Sequence, residues 1–239
     1  MTARPLVLLS ALAVAGCGGR SAREYGQALF NDPALSSAQS NVFRCATCHD
    51  TSDAQLLRPG YTMFDAARRP SWWGGSVSTL RDAVNECLVE FMRGRALAAD
   101  DDKGRALYVY LDSLVSAADA SARPLTIVQN IVDLPSGSVA SGGAVWKEVC
   151  QVCHGEPHTG KGRLADTVSI VPDESIAMHG TDPTTGARPV VIEKVRHGKF
   201  FGVAGNMAPF SLEALSDEQL GDVLAYLEMF GLPASPAKS

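Results

Sequence analysis

Two pentapeptides place the same reactive residues at the same spacing: Cys45-Ala46-Thr47-Cys48-His49 and Cys150-Gln151-Val152-Cys153-His154. Each reads C-x-x-C-H. Two thiols three positions apart lie one helical turn apart and can bond the two vinyl groups of one porphyrin. The adjacent histidine then reaches the iron as proximal ligand. Two rival chemistries use C-x-x-C pairs. A zinc site would draw four ligands onto one metal and would need neither His49 nor His154. A redox dithiol would need a thioredoxin-like βαβ pattern, which the sequence lacks. The motifs stand 105 residues apart, and the expectation is two covalently bound haem c groups. Cys45, Cys48 and His49 would hold one, and Cys150, Cys153 and His154 the other.

The chain has six cysteines. Four belong to the motifs, leaving Cys17 and Cys87. Residues 1–16 carry one cation, Arg4, and an apolar run from Leu6 to Ala15. That run is too short for a hydrocarbon core of roughly 30 Å and suits the h-region of an export signal. Val14-Ala15-Gly16 before Cys17 resembles the bacterial lipobox, in which the signal is cut before the cysteine and the new terminus takes lipid. The alternative is a cut nearby that leaves Cys17 free. On the first reading, 1–16 is a lipoprotein signal peptide, Cys17 is the lipidation site and 17–24 is a tether. The mature protein is then periplasmic and anchored to a bacterial membrane by lipid alone, outside the reducing cytosol. Loss of Arg4 takes the formal charge from −5 to −6.

The elements that position the motifs form two similar modules. Each begins with a helix-like stretch, Ala22–Phe30 and Gly143–Val149. Each ends with an amphipathic helix, Asp101–Leu114 and Ser216–Phe230, carrying the pairs Tyr110-Leu111 and Tyr226-Leu227 at helical spacing. The domains run 25–118 and 139–232. A linker over 119–138 includes an extended piece, Leu125–Leu134, that straps across a domain surface. Residues 233–239 read as a disordered tail. A module of about 100 residues is small, but a covalently held porphyrin adds core material. The composition, 46% hydrophobic and 20% charged, excludes a wholly disordered chain and a multi-span membrane protein. A net charge of −5 without a basic run is wrong for nucleic-acid binding.

The order of helix, C-x-x-C-H, loop and C-terminal helix resembles class I c-type cytochrome domains, in both halves. The resemblance implies an all-α fold of two tandem domains, each a few helices around one haem. It also implies that Met207, in Gly205-Asn206-Met207-Ala208-Pro209-Phe210, is the distal ligand of the second haem. Ala208 departs from the Met-Pro usual in the family. Met178, His179, His197 and Lys199 are rivals, and His158 reads as a surface residue. In the first module Met92 precedes its Tyr-Leu pair by 18 residues, against 19 for Met207. Cys87 lies five residues earlier, on the face shared by Val84, Leu88 and Phe91. The segment Asn85-x-Cys87 to Met92-x-Gly94 resembles thiosulfate dehydrogenase and related sulfur-oxidising dihaem cytochromes, which implies a Cys87 thiolate on the His49 haem. Both Cys87 and Met92 remain open as distal ligands. Met63 lies too near His49 in the sequence. Trp72-Trp73 and Tyr61–Asp65 read as pocket wall.

The leading expectation is a carrier that passes single electrons between periplasmic or membrane redox partners. The alternative is an enzyme oxidising thiosulfate or a related sulfur anion at a His49/Cys87 haem, with Cys87 catalytic and Arg58, Arg68, Arg69, Arg81 and Arg93 available for the anion. A dihaem peroxidase needs a longer chain.

Overall fold

Ser21 starts the first helix. Its hydroxyl accepts from the Glu24 amide while the Glu24 carboxylate accepts from the Ser21 amide, so two end donors are satisfied reciprocally. This computed structural model describes residues 19–52, 56–201 and 206–230. The signal segment 1–16, Cys17 and the tail 233–239 lie outside the described residues. In chain order the helices are α1 (Ala22–Phe30), α2 (Cys45–Cys48), α3 (Leu80–Glu86), α4 (Asp102–Asp112), α5 (Val139–Val145), α6 (Gln151–His154), α7 (Asp173–His179), α8 (Ala187–Phe201) and α9 (Asp217–Tyr226). Among the described residues there is no strand, only isolated bridges at Asp50–Thr62 and Trp72–Val77. The fold is all-α, as expected.

Both halves are built on one helix crossing. In the first, α1 lies on α4 at Gly26, where a Cβ would sit 2.0 Å from the Ala106 carbonyl oxygen and 2.7 Å from Tyr110 Cβ. In the second, α5 lies on α9 at Gly142, where a Cβ would sit 2.0 Å from the Asp222 carbonyl oxygen and 2.8 Å from Tyr226 Cβ. Only glycine lets backbone approach backbone this closely. The two tyrosines are those of the repeated Tyr-Leu pairs. Gly142→Ala is expected to destabilise the protein by about 1–3 kcal/mol, the usual cost of overpacking. Gly143→Ala meets only the Tyr226 ring, at 3.2 Å, and is expected to change stability little. Paired thermal melts check the contrast.

Several predicted boundaries move. Helix α1 stands at Ala22–Phe30 as the helix-like stretch was expected to, so residues 22–24 belong to it rather than to the 17–24 tether. The second module's entry helix begins at Val139 rather than Gly143, because the Ser138 hydroxyl accepts from the Ser141 amide. It continues through a π turn, Trp146–Cys150, into α6. The terminal helix stops at Tyr226, short of Phe230. Glu228 turns left-handed at φ +57, and the Met229 and Glu228 amides donate to the Leu224 and Ala225 carbonyls, closing the end as a Schellman motif. The earlier terminal helix likewise ends at Asp112, short of Leu114.

Two apolar cores result. One gathers Phe30, Leu88, Leu107, Tyr110 and Leu111; the other gathers Trp146, Ile192, Leu220, Leu224 and Leu227. They meet at the haem motifs, with Tyr61 in the second core and Val152 and Cys153 packed on the first. The 119–138 linker straps over the second half. Leu125, Ile131 and Leu134 pack against its core, and Thr126 donates its amide and hydroxyl to Glu213, each at 2.7 Å. Arg58–Glu148, at 3.9 Å, also ties the halves together.

Candidate functional site

A cavity of about 740 Å³ runs between the halves, and both motifs open onto it. Cys45, Cys48 and His49 line it, and so do Cys150, Cys153 and His154. α2 is a single turn, and the His49 amide donates to the Cys45 carbonyl at 2.9 Å. The Cys48 carbonyl accepts from the Gly60 amide at 2.7 Å, so the chain folds back over His49. A Cβ at Gly60 would lie 2.3 Å from the imidazole Cε1, so that position must be bare. The second motif repeats the design. α6 ends at Gly155, at φ +68, and the Cys153 carbonyl accepts from the Leu164 amide at 2.9 Å.

The histidines are set up as neutral donors. His154 Nδ1 lies 3.0 Å from the Ser169 carbonyl oxygen. A carbonyl can only accept, so Nδ1 carries the proton and Nε2 keeps its lone pair for a metal. His49 Nδ1 is buried without a hydrogen-bond partner. Burial pushes the His49 imidazole down to about 4, partly offset by the peptide groups of Tyr61 and Gly60. Burial lowers His154 as well. Burial pushes Cys45 up to about 11 and Cys48 and Cys150 up to about 12. Cys48 also feels Cys153, which places the two motifs side by side. An apolar cavity lined by protonated thiols and neutral imidazoles suits a flat, largely apolar group with a metal at its centre. Among the described residues, no three His, Cys, Asp or Glu side chains gather to hold a bare metal ion, as a zinc site would require.

Burial distinguishes the distal candidates in the second half. Met178 and His179 line the cavity but are exposed, Met178 by 77%. His197 is buried against Phe201, outside the cavity lining, and so drops out as a rival. Lys199 is paired with Glu86 and Glu90 across the interface. His158 is exposed beside Asp173, as expected. Met207 lines the cavity and is half-buried. Its loop is pinned to α8 at both ends: the Lys199 amide donates to the Met207 carbonyl at 2.9 Å, and the Phe210 amide to the Val195 carbonyl at 2.8 Å. Gly198 permits this closure, at φ +53 and 2.5 Å from the Met207 carbonyl oxygen were it to carry a Cβ. Buried Arg196 braces the following segment through the Phe210 and Leu215 carbonyls and Asp217. Met207→Ala is expected to lower one haem potential and leave the other nearly fixed, since a thioether ligand favours the ferrous state. A redox titration reads this directly.

In the first half α3 runs into a second π turn, Cys87–Phe91. Such turns recur at functional sites because they re-aim side chains. Cys87 and Met92 both line the cavity. Met92 is only 5% exposed and packs in the core, while Cys87 keeps a partly open face toward the cavity. Cys87 is also close enough to Cys45 and Cys48 to feel their charge, though burial is the larger cause of its raised pKa. Tyr61, Trp72 and Trp73 form cavity wall, as expected, and Met63 lines it too. Gly60, the Ser169 carbonyl and Arg196 were not singled out by sequence. Their roles are a bare surface, a backbone oxygen and a buried brace, which side-chain type does not advertise.

The second motif and Met207 lie in a stretch that matches a cytochrome family, and a domain of that kind carries covalently bound haem c and passes electrons. Residues 137–227 match the family described as Cytochrome C oxidase, cbb3-type, subunit III. No curated protein matches the chain. Among solved structures the chain is similar to "Thiosulfate dehydrogenase (TsdBA) from Marichromatium purpuratum", in its as-isolated form. The identity is 18% and the TM-score 0.41, covering 86% of this chain and 45% of that one. The chain thus spans less than half the length of that neighbour.

Proposed function

We propose that this protein is an exported, lipid-anchored dihaem cytochrome that passes single electrons between redox partners of the periplasm or membrane. His49 and His154 are the proximal ligands, Met207 and Cys87 the distal ones, and the lipid sits on Cys17. The observation that carries the reading is the convergence of both Cys-Cys-His sets on one cavity. Haems held by these two sets would share one cavity, so an electron could pass between them within the protein. Haem, when bound, supplies the one-electron couple. The chain supplies two unlike ligand sets and hence two potentials, because a thiolate lowers the potential and a thioether raises it.

Cys87 favours one second reading, in which a sulfur anion such as thiosulfate gives up its electrons at the His49 haem. The test is direct. Thiosulfate is mixed with the oxidised protein while haem absorbance is followed. A carrier stays oxidised until a protein partner reduces it, whereas the enzyme is reduced by thiosulfate alone. In parallel, Cys17→Ser is expected to move the protein from the membrane fraction to the soluble periplasmic fraction, since the acyl chains are its attachment. Retention in the membrane with the signal removed would contradict the anchor.

A further inference from the structure

Three buried N–H donors contributed by the first half to the cavity have no acceptor among the described residues. They are Nε and Nη2 of Arg69 and Nε1 of Trp72. Both residues line the cavity that His49 lines. They stand three positions apart, joined by Pro70 and Ser71 directly after the short turn Ala66–Arg68. A guanidinium group held away from water without an acceptor is costly, and so is a buried indole N–H. Burial lowers the Arg69 pKa, and Tyr61 and Glu213 are near enough to offset part of that. Neither of these groups, nor any other among the described residues, accepts a hydrogen bond from the three donors. Their complement is an anion with at least two oxygens. A carboxylate meets that need, because a guanidinium edge presents N–H groups at the spacing of its two oxygens.

Haem carries two carboxylates, its propionates, on the edge opposite the vinyl groups. Cys45 and Cys48 fix the vinyl edge. Arg69, Trp72 and His49 line the same cavity, so the donors open onto the space beside that histidine. We infer that Arg69 and Trp72 form the propionate-binding site of the haem attached at Cys45 and Cys48. Arg69 Nε and Nη2 clamp one carboxylate and Trp72 Nε1 donates to the same group or its neighbour. This assignment rests on the dihaem reading. It gives Arg69 a role separate from any substrate anion, and makes Trp72 a donor as well as a wall. The bound carboxylate neutralises a buried cation. In turn the cation screens the propionate charge from the iron, which favours the ferrous state.

The experiment uses the full-length protein with its haems in place. Haem content is counted first, then resonance Raman spectra and redox titrations are recorded for the wild type, Arg69→Gln, Arg69→Lys and Trp72→Phe. Trp72→Phe keeps a ring and removes one neutral donor. It is expected to shift a propionate bending band of one haem. Arg69→Gln is expected to shift that band and to lower the potential of the first haem, with the second unmoved. Arg69→Lys keeps the charge and loses the two-pronged contact, so the band shifts while most of the potential is retained. A band unmoved in both Trp72→Phe and Arg69→Gln, in a protein that holds two haems, overturns the inference and leaves the dihaem reading intact. A wild-type potential that follows added sulfate, with the propionate band fixed in every variant, means that a free anion occupies the donors, and also overturns it. A wild type with no haem at Cys45 and Cys48 overturns both.

Discussion

Replacing Cys150 and Cys153 together by alanine is expected to leave one haem per chain where the parent holds two. The surviving spectrum should lack the thioether-ligated component. The complementary double variant at Cys45 and Cys48 should lose the other haem and keep that component. The reasoning is geometric. Both pairs line the shared cavity, and each is followed directly by its own histidine. Loss of a haem also removes core material. Leu220, Val223 and Leu227, which line the cavity, would then face water. The Cys150/Cys153 variant is therefore expected to unfold at lower temperature as well. Pyridine haemochrome assays against protein concentration read the count. If either double variant kept both haems, the thioether assignments would be wrong.

Cys87→Ala is expected to remove one low-spin species from the spectrum and to raise the potential of the first haem. Met92→Ala should leave ligation unchanged and act instead on stability. Met92 is packed in the core, and truncating a buried methionine costs about 2–5 kcal/mol. The Met92 carbonyl also accepts from the buried Ser36 hydroxyl at 2.8 Å, a backbone bond that alanine would keep. In the metal-free chain, burial holds the Cys87 thiol protonated. Coordination to ferric iron would deprotonate it outright, as metals do to coordinating thiols. Labelling therefore cannot separate a ligand from a buried thiol, but low-temperature EPR can. The opposite outcome, with Met92→Ala changing the ligand field and Cys87→Ala silent, would make the first haem a plain His/Met centre. The second reading would then lose its only support.

Much of this site was legible in the sequence because it is local. C-x-x-C-H is a one-turn device, and both copies stand where their spacing put them. The position of Met207 at the cavity was legible because its segment sits just before a helix that Ser216 caps. The strap over 125–134 was legible from its apolar residues and the flanking Pro124 and Pro135. What was not legible depends on partners distant in sequence. His197 and Arg196 sit in a stretch, Val-Arg-His-Gly-Lys, that reads as polar surface. They are buried because the Phe210–Asp217 segment returns to cover α8. The start of α5 was hidden because Ser138 belongs to a run that looks like linker, and only its bond to the Ser141 amide makes it a cap. The end of α9 was missed because Glu228, not glycine, takes the left-handed position. The opening of both motifs onto one cavity is a matter of domain docking, set by contacts such as Lys199 with Glu86 at 3.7 Å. No local pattern encodes it.

The central claim is that one chain holds two haems with unlike distal ligands. A potentiometric titration of the purified wild-type protein, followed by optical spectra and EPR at each step, tests it most directly. The account predicts two haems per chain titrating at separate potentials. The higher should belong to a His/Met species, and the lower to a species with thiolate character. A single titrating haem, or two haems with the same His/Met signature and no thiolate-ligated component, would contradict it.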